Sequence, residues 1–176
     1  ETNRLAEQKA YVENQTAELT QTIEDLNKAK EELLNQKQLF EIMFNTIPDG
    51  VVITDTKREI VLANNGMNTT FGYLPEEIIG KSTEILYADE SKYLETGKAI
   101  FNQVSTQAEN EYISYYKTKK GLEFPGETYG TKLIDQNGAW KGNLGIMRNV
   151  SERLRFIDEI GKEKDRAKES DRLKSA

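Results

Sequence analysis

The chain has 176 residues, of which 36% are hydrophobic and 31% are charged, so its apolar residues can fill a core over only part of its length. Its net charge of −6 argues against a nucleic-acid partner and against attraction to an anionic membrane. It contains no cysteine and no histidine, which excludes disulfides, thiol nucleophiles, cysteinyl–flavin adducts and histidine-ligated haem. No run of 18 apolar residues is present, so we expect no membrane contact.

Turn-forming residues are confined to the middle of the chain. All 12 glycines and all three prolines lie between residues 48 and 161. Because glycine and proline mark turns, the sequence predicts three parts. These are an N-terminal helix over 1–45, a folded domain over 46–150 and a C-terminal helix over 151–176.

The N-terminal segment carries an apolar side chain at every seventh position. This seam consists of Leu5, Val12, Leu19, Leu26, Leu33 and Phe40. The spacing predicts one side of a coiled coil, although the second seam is largely polar. A solvated single helix is the alternative, but alone it would bury too little surface to be stable. We therefore expect a homodimer that pairs marginally through this helix, as suits an element that rotates or changes register.

The middle of the chain shows two β-branched runs, a helical region and three further strand-like runs. The predicted strands are 50–55, 59–64, 111–119, 122–135 and 138–150, and the helical region at 65–108 includes a long helix at 90–107. This order predicts an α+β domain with a five-stranded antiparallel sheet that buries one face under the helices. The segment 151–176 has 8 basic and 7 acidic residues and predicts a helix that packs only at its start.

Three motifs in this order resemble the PAS sensor domain, over roughly residues 40–155. They are "IPDGVVITDTKREIVLANNGMNTTFGYLPEEIIGKS" (47–82), "KTKKGLEFPGE" (117–127) and "MRNVSERL" (147–154), the last resembling the family's Asp-Ile-Thr-Glu-Arg exit motif. The resemblance implies the PAS fold, dimerisation through this domain as well as the helix, and a cytoplasmic location. Membrane anchoring of the parent protein upstream stays compatible with the sequence.

The exit motif supplies the candidate signal-transmission residues Asn149, Ser151, Glu152 and Arg153. Asn149 replaces the usual Asp, so it cannot offer a charge to a cationic partner, and its alternative role is merely to cap or to end a strand. Ser151 replaces the usual Thr, and we expect its side chain to cap the outgoing helix. The resemblance thus implies transmission through hydrogen bonds.

In PAS domains any ligand lies between the concave face of the sheet and the central helices. The candidate ligand-binding residues on this basis are Phe71, Phe101, Tyr115, Thr128, Leu144 and Met147. Gly126, Thr128 and Gly130 alternate along one strand, and small residues there leave volume for a ligand. The favoured alternative is that an aromatic side chain (Phe71, Phe101, Tyr115 or Tyr116) fills that volume. We expect no cofactor, no metal and no catalytic residue, while a small metabolite or a non-covalent flavin stays compatible with the sequence.

The last ten residues, "AKESDRLKSA", resemble the linker before the phosphoacceptor helix of sensor histidine kinases. This resemblance implies a relay domain that controls autophosphorylation of a kinase domain in cis, with a response regulator as the partner of the parent protein. Two alternatives stay open. One is a ligand-free dimerisation or spacer module, and the other is a domain that regulates a diguanylate cyclase.

Overall fold

The computed structural model describes residues 2–101 and 109–174, and it contains five strands and six helices in that part of the chain. The elements in chain order are α1 (Thr2–Thr46), β1 (Gly50–Thr54), β2 (Ile60–Ala63), α2 (Gly66–Phe71), α3 (Pro75–Ile78), a 3₁₀ helix (Thr83–Leu86), α4 (Glu90–Ala99), β3 (Glu109–Lys117), β4 (Glu123–Ile134), β5 (Trp140–Asn149) and α5 (Ser151–Lys174). The chain forms two compact units, divided after Met43.

The helix α1 is 45 residues long, or roughly 68 Å at 1.5 Å per residue. The predicted N-terminal helix is therefore confirmed. The six side chains of its seven-residue seam are between 42% and 73% exposed. Pairing of this seam with a second copy stays a prediction.

The sheet has the strand order β2-β1-β5-β4-β3, with every neighbouring pair antiparallel. This confirms the predicted α+β class and the five-stranded antiparallel sheet. Successive side chains of a strand point to opposite faces, so each strand has an inner face toward the helices and an outer face.

The core lies between the inner face of the sheet and the short helices. Its centre is a group of aromatic rings, in which Phe71 of α2 packs edge-on against Tyr116 and Phe124, with ring centroids 5.7 Å and 5.2 Å away. All three residues are buried. Such edge-to-face pairs add to the stabilisation that burial of their apolar area provides.

Asn64 joins the end of β2 to the segment that enters β1. Its side-chain oxygen accepts a bond from the Val51 amide at 2.8 Å, and its side-chain nitrogen contacts the carbonyls of Phe44, Ile47 and Asp49 at 3.2, 3.1 and 3.0 Å. Asn64 is fully buried. This one side chain therefore bonds the backbone of β1 and of the segment that leads into it.

One predicted element is shorter than expected. The helix predicted at 90–107 begins as expected, because the Asp89 side chain caps it by accepting a bond from the Lys92 amide at 2.9 Å, but it ends at Ala99. Residues 102–107 lie outside the described part of the chain.

Candidate ligand cavity and helix junction

A small cavity lies between the inner face of the sheet and the helical segments. Its volume is about 30 Å³, enough for about two water molecules. The polar side chains on its wall include Thr54, Arg58, Thr83, Thr128 and Asn143. The site is thus much smaller than the small-residue pattern of the sequence suggests, and its wall is partly polar.

Aromatic rings occupy the space beside the small residues of β4. A Cβ atom on Gly126 would lie 2.4 Å from the Tyr116 ring, and one on Gly130 would lie 2.9 Å from the Phe101 ring. By contrast, the nearest contact of a Cβ on Gly145 would be a methyl group of Val52 at 3.5 Å. Filling by aromatic side chains, the favoured alternative of the sequence analysis, therefore describes the volume beside Gly126 and Gly130.

The structure brings three of the six candidate ligand-binding residues to the cavity wall, namely Phe101, Thr128 and Met147. Phe71 is buried nearby in the aromatic core. A role for these residues in ligand binding stays a prediction.

The placement predicted for Tyr115 and Leu144 is corrected by the structure. Tyr115 is 53% exposed, whereas Tyr116, the next residue of β3, is completely buried. Leu144 pairs with Ile53 and lies between two residues of β5 that line the cavity. Strand alternation therefore places both side chains on the outer face of the sheet, away from the cavity.

Several polar groups of the cavity wall are already hydrogen-bonded to one another. The hydroxyls of Tyr116 and Thr128 are 2.6 Å apart, and the Asn143 side-chain amide donates to Thr54 Oγ1 at 3.0 Å. Burial raises the pKa of Tyr116 and of the neighbouring Tyr112, so both phenols stay protonated at neutral pH. These groups need no ligand to be satisfied.

Arg58 and Thr83 are functional candidates that the sequence analysis missed. The Arg58 side chain is buried, where its guanidinium donates to the Tyr93 carbonyl at 2.7 Å and to the Tyr87 hydroxyl at 3.1 Å. The Thr83 hydroxyl is buried and has no hydrogen-bond partner among the described residues. The sequence offered no clear signal for Arg58. It lies in the turn between β1 and β2, where an arginine side chain is ordinarily solvated.

The second candidate site is the junction between β5 and α5. The Val150 amide donates to the Pro125 carbonyl at 3.0 Å, and the Ser151 amide donates to the Asn149 side-chain oxygen at 2.9 Å. Arg153, in the first turn of α5, forms a 2.7 Å ion pair with Glu127 of β4. The outgoing helix is thus bonded directly to the sheet.

The four candidate transmission residues have different surroundings at this junction. Asn149, rather than Ser151, supplies the side-chain oxygen at the start of α5, so the cap expected from Ser151 is wrong. The reason is that Ser151 is already the first helical residue, and its amide is the group that makes the bond. Arg153 contacts the sheet, whereas the Glu152 side chain is 82% exposed and lies 3.9 Å from Arg155 of the same helix.

The ion pair at the junction favours the ionised forms of Glu127 and Arg153. The hydrogen bond from Arg153 holds the pKa of Glu127 below its ordinary value of 4.5, and the same bond raises the pKa of Arg153. A second pair lies close by, where the Arg148 guanidinium donates to the Asp49 carboxylate at 2.7 Å. These two pairs connect β4 to α5, and β5 to the entry of β1.

The described residues contain neither a candidate membrane span nor a candidate metal-binding cluster. None of the described helices has a stretch long and apolar enough to cross a membrane. Residues 2–101 and 109–174 also contain no cluster of three or more Asp, Glu, His or Cys side chains that could hold a metal ion.

A family model described as the PAS domain matches residues 48–152. Since this match covers more than half of the chain, the chain belongs to the PAS family, and its sheet and helices form the PAS fold. The fold is shared with the crystal structure of a PAS domain from a Colwellia psychrerythraea protein, with a TM-score of 0.60 and 23% identity, covering 68% of this chain and 98% of that one.

Two curated relatives show the proteins in which similar segments occur. Sporulation kinase C of Bacillus subtilis is 29% identical over 158 residues, which are 84% of this chain and 35% of the kinase. The bacterioopsin transcriptional activator of Halobacterium salinarum is 26% identical over 160 residues, which are 88% of this chain and 22% of the activator. The chain is therefore a PAS sensory domain related to a kinase and to a transcriptional activator, and it spans about a third or less of each relative.

Proposed function

We propose that this PAS domain relays a signal to a histidine kinase core in its parent protein, and so controls autophosphorylation of that core. The observation that carries the proposal is the direct bonding of the sheet to α5, through the Arg153–Glu127 ion pair and the Asn149–Ser151 hydrogen bond. The similarity to sporulation kinase C over 84% of this chain supports a kinase as the output. A response regulator would then receive the phosphoryl group.

In this mechanism a change in the sheet reaches α5 through the junction. Because Glu127 lies on β4, a shift of β4 relative to β5 changes the distance over which Arg153 must reach. The helix then rotates or slides until the pair forms again or breaks. Biasing a two-state equilibrium tenfold takes only about 1.4 kcal/mol, so a few such contacts are sufficient.

Dimerisation through α1 is the second part of the proposal. The seam residues of α1 are exposed in the single chain, and a second copy of the helix is the simplest partner that covers them. In a dimer two copies of α5 would lead to two kinase cores. A relative movement of the two helices would then change how each core meets its partner.

The test is autophosphorylation of the full-length parent protein with charges reversed at the junction. Glu127→Arg and Arg153→Glu should each change the autophosphorylation rate, because each places two like charges together. Combining the two substitutions should restore the rate. Glu159→Arg is the matched control, because Glu159 is exposed on α5 beyond its first turn, and its rate should stay unchanged. Unchanged rates in both single variants would contradict the proposal.

A transcriptional output is the second candidate, favoured by the similarity to the bacterioopsin transcriptional activator. The same variants distinguish the two outputs. A parent protein that incorporates no phosphate, but whose transcriptional activity changes in Glu127→Arg and recovers in the double variant, would keep the junction mechanism and replace the kinase.

A further inference from the structure

Four charged residues of alternating sign follow one another across the outer face of the sheet. This charged row consists of Asp49 before β1, Arg148 of β5, Glu127 of β4 and Arg153 of α5. Met147 and Thr128 line the cavity on the inner face. Their neighbours Arg148 and Glu127 therefore lie on the outer face, since successive side chains of a strand alternate. The row begins just after the end of α1 and ends in the first turn of α5.

Each end of the charged row is an ion pair with two-pronged geometry. The Arg148 guanidinium donates from Nε and Nη2 to the Asp49 carboxylate at 3.1 and 2.7 Å. The Arg153 guanidinium donates from Nη1 and Nη2 to the two carboxylate oxygens of Glu127 at 3.2 and 2.7 Å. An isolated exposed ion pair contributes little to stability, but such pairs do contribute when they are bidentate and belong to a network. Both conditions hold for these two pairs.

The two inner members of the row, Arg148 and Glu127, lie directly opposite each other on β5 and β4. Opposite charges at such positions attract each other across the strands. Among the described residues, however, the Arg148 side chain pairs with Asp49 and the Glu127 side chain with Arg153. The hydrogen bond from Arg153 is the main cause of the lowered pKa of Glu127, and the Arg148 charge lowers this pKa further, whereas the Asp49 charge raises it. Two arginines therefore act on one carboxylate.

The Asp49 end of the row is tied to the last turn of α1. The side-chain nitrogen of Asn64 contacts the carbonyls of Phe44, in that turn, and of Asp49, at 3.2 and 3.0 Å. The Asn65 amide donates to the side-chain oxygen of Asn45 at 3.0 Å. Phe44 and Asn45 belong to the same compact unit as the sheet. A movement of the last turn of α1 therefore reaches the segment that carries Asp49.

We propose that Arg148 is a transferable partner, shared between Asp49 and Glu127, that couples the end of α1 to the start of α5. When Asp49 is displaced, Arg148 transfers to the Glu127 carboxylate across the strand. Since Arg153 already bonds both oxygens of that carboxylate, the transfer weakens the attachment of α5 to the sheet. As a route from α1 to the output of the parent protein, this transfer rests on the proposed function, but the transfer itself does not.

The experiment is amide hydrogen exchange, followed by NMR, in the 176-residue chain and its variants. The Leu154 amide reports on the first turn of α5, because it donates to the Val150 carbonyl at 2.9 Å. The Ile146 amide lies in β5, the central strand of the sheet, and is the reference for global opening. The hydrogen-exchange rate of Leu154 relative to that of Ile146 therefore measures how firmly α5 is attached.

Asp49→Asn removes the charge that holds Arg148 and keeps the shape of the side chain. It should raise the relative exchange rate of Leu154 by about threefold to fivefold, the effect of weakening one exposed ion pair. Adding Arg148→Met should return the rate to that of the unsubstituted chain, because Glu127 then has no second cationic partner. Glu76→Gln is the matched control, because it removes the same charge from an exposed residue of α3 outside the charged row, and its rate should not change.

Either of two results would overturn the transfer. An unchanged relative rate in Asp49→Asn would show that Arg148 does not displace Arg153 from Glu127. A raised rate that persists after Arg148→Met is added would show that Asp49 acts on α5 without Arg148.

The transfer and the proposed function fail in different ways. The variants are therefore also compared in the parent protein, beside the single charge reversals at Glu127 and Arg153. If Asp49→Asn loosens α5 but leaves unchanged an output that responds to the reversals, the transfer stands and its role in signalling is contradicted. If the exchange rates do not depend on Asp49 while the output responds to the reversals, the transfer is overturned and the relay stands. If the transfer is observed but no reversal changes the output, the proposed function alone is overturned.

Discussion

Glu127 and Arg153 form a 2.7 Å ion pair that joins β4 to the first turn of α5. The pair is 26 residues apart in sequence, and Arg153 belongs to the motif that resembles the PAS exit motif. Asn149 carries no charge and makes only a hydrogen bond at the junction between β5 and α5, whereas Arg153 makes an ion pair there. The ion pair of this junction therefore involves Arg153 and not Asn149.

The Glu127 carboxyl should titrate below pH 4.5, because its hydrogen bond from Arg153 lowers its pKa. The pair therefore stabilises the fold fully when the pH is above the ordinary carboxyl pKa of 4.5. That stabilisation is lost as the pH falls through the lowered pKa of Glu127. Replacing Arg153 by Met should move the carboxyl pKa back toward 4.5. Carbon-detected NMR titration of the Glu127 carboxyl measures this directly, and identical curves with and without Arg153 would contradict the ion pair.

Asn64 should be one of the most sensitive polar positions in the fold. Asn64→Ala removes the acceptor of the Val51 amide and the NH2 group that contacts three carbonyls. Unsatisfied buried groups cost about 1–3 kcal/mol, so we expect a loss of about 3 kcal/mol in the free energy of unfolding. Asn65→Ala is the control, because Asn65 is exposed, and its effect should stay within about 0.5 kcal/mol. Urea denaturation measures both, and equal effects would contradict this role.

The two glycines Gly126 and Gly145 should respond differently to replacement by alanine. At Gly126 the new methyl group would lie 2.4 Å from the ring of Tyr116, which is completely buried. Overpacking of this kind costs about 1–3 kcal/mol. At Gly145 the nearest contact would be 3.5 Å, so the substitution should be tolerated. Thermal unfolding of both variants tests this difference, and a Gly126→Ala variant as stable as Gly145→Ala would show that the ring does yield.

The exposed seam of α1 should hold the proposed dimer together. Leu19→Asp combined with Leu26→Asp places carboxylates in the seam and should raise the dimer dissociation constant at least tenfold. Thr20→Asp combined with Asn27→Asp adds the same charge one position away from the seam and should change it little. Native mass spectrometry over a range of concentrations measures both. A monomeric unsubstituted chain, or a seam variant that remains a dimer, would contradict pairing through α1.

The sequence predicted the fold because local patterns and turns agree with one another. β-Branched runs at 50–55 and 59–64 marked β1 and β2, and glycines at 121 and 138 marked the turns on either side of β4. The long N-terminal helix followed from the absence of glycine and proline. None of these inferences required a distant contact.

The cavity was harder to predict because the local sequence does not decide which face of a strand is buried, or whether a side chain in a turn lies inside or outside. The run "YISYYK" places tyrosines on both faces of β3. Only the packing of the sheet decides that Tyr116 is buried and Tyr115 exposed. Leu144 has the same ambiguity on β5. The buried position of the Arg58 side chain could not be predicted either, because the positive φ of this residue is visible only in the folded turn.

The most direct test of the account is whether the sheet sets the direction of α5. The chain has no cysteine, so Lys57→Cys and Lys164→Cys place spin labels at defined positions on the β1–β2 turn and on α5. Pulsed electron paramagnetic resonance on labelled chain diluted with unlabelled chain gives the distance within one protomer. We expect a shifted or broadened distance distribution in Glu127→Arg and in Arg153→Glu, and the original distribution when both substitutions are combined. A distribution unchanged by either single reversal would contradict it.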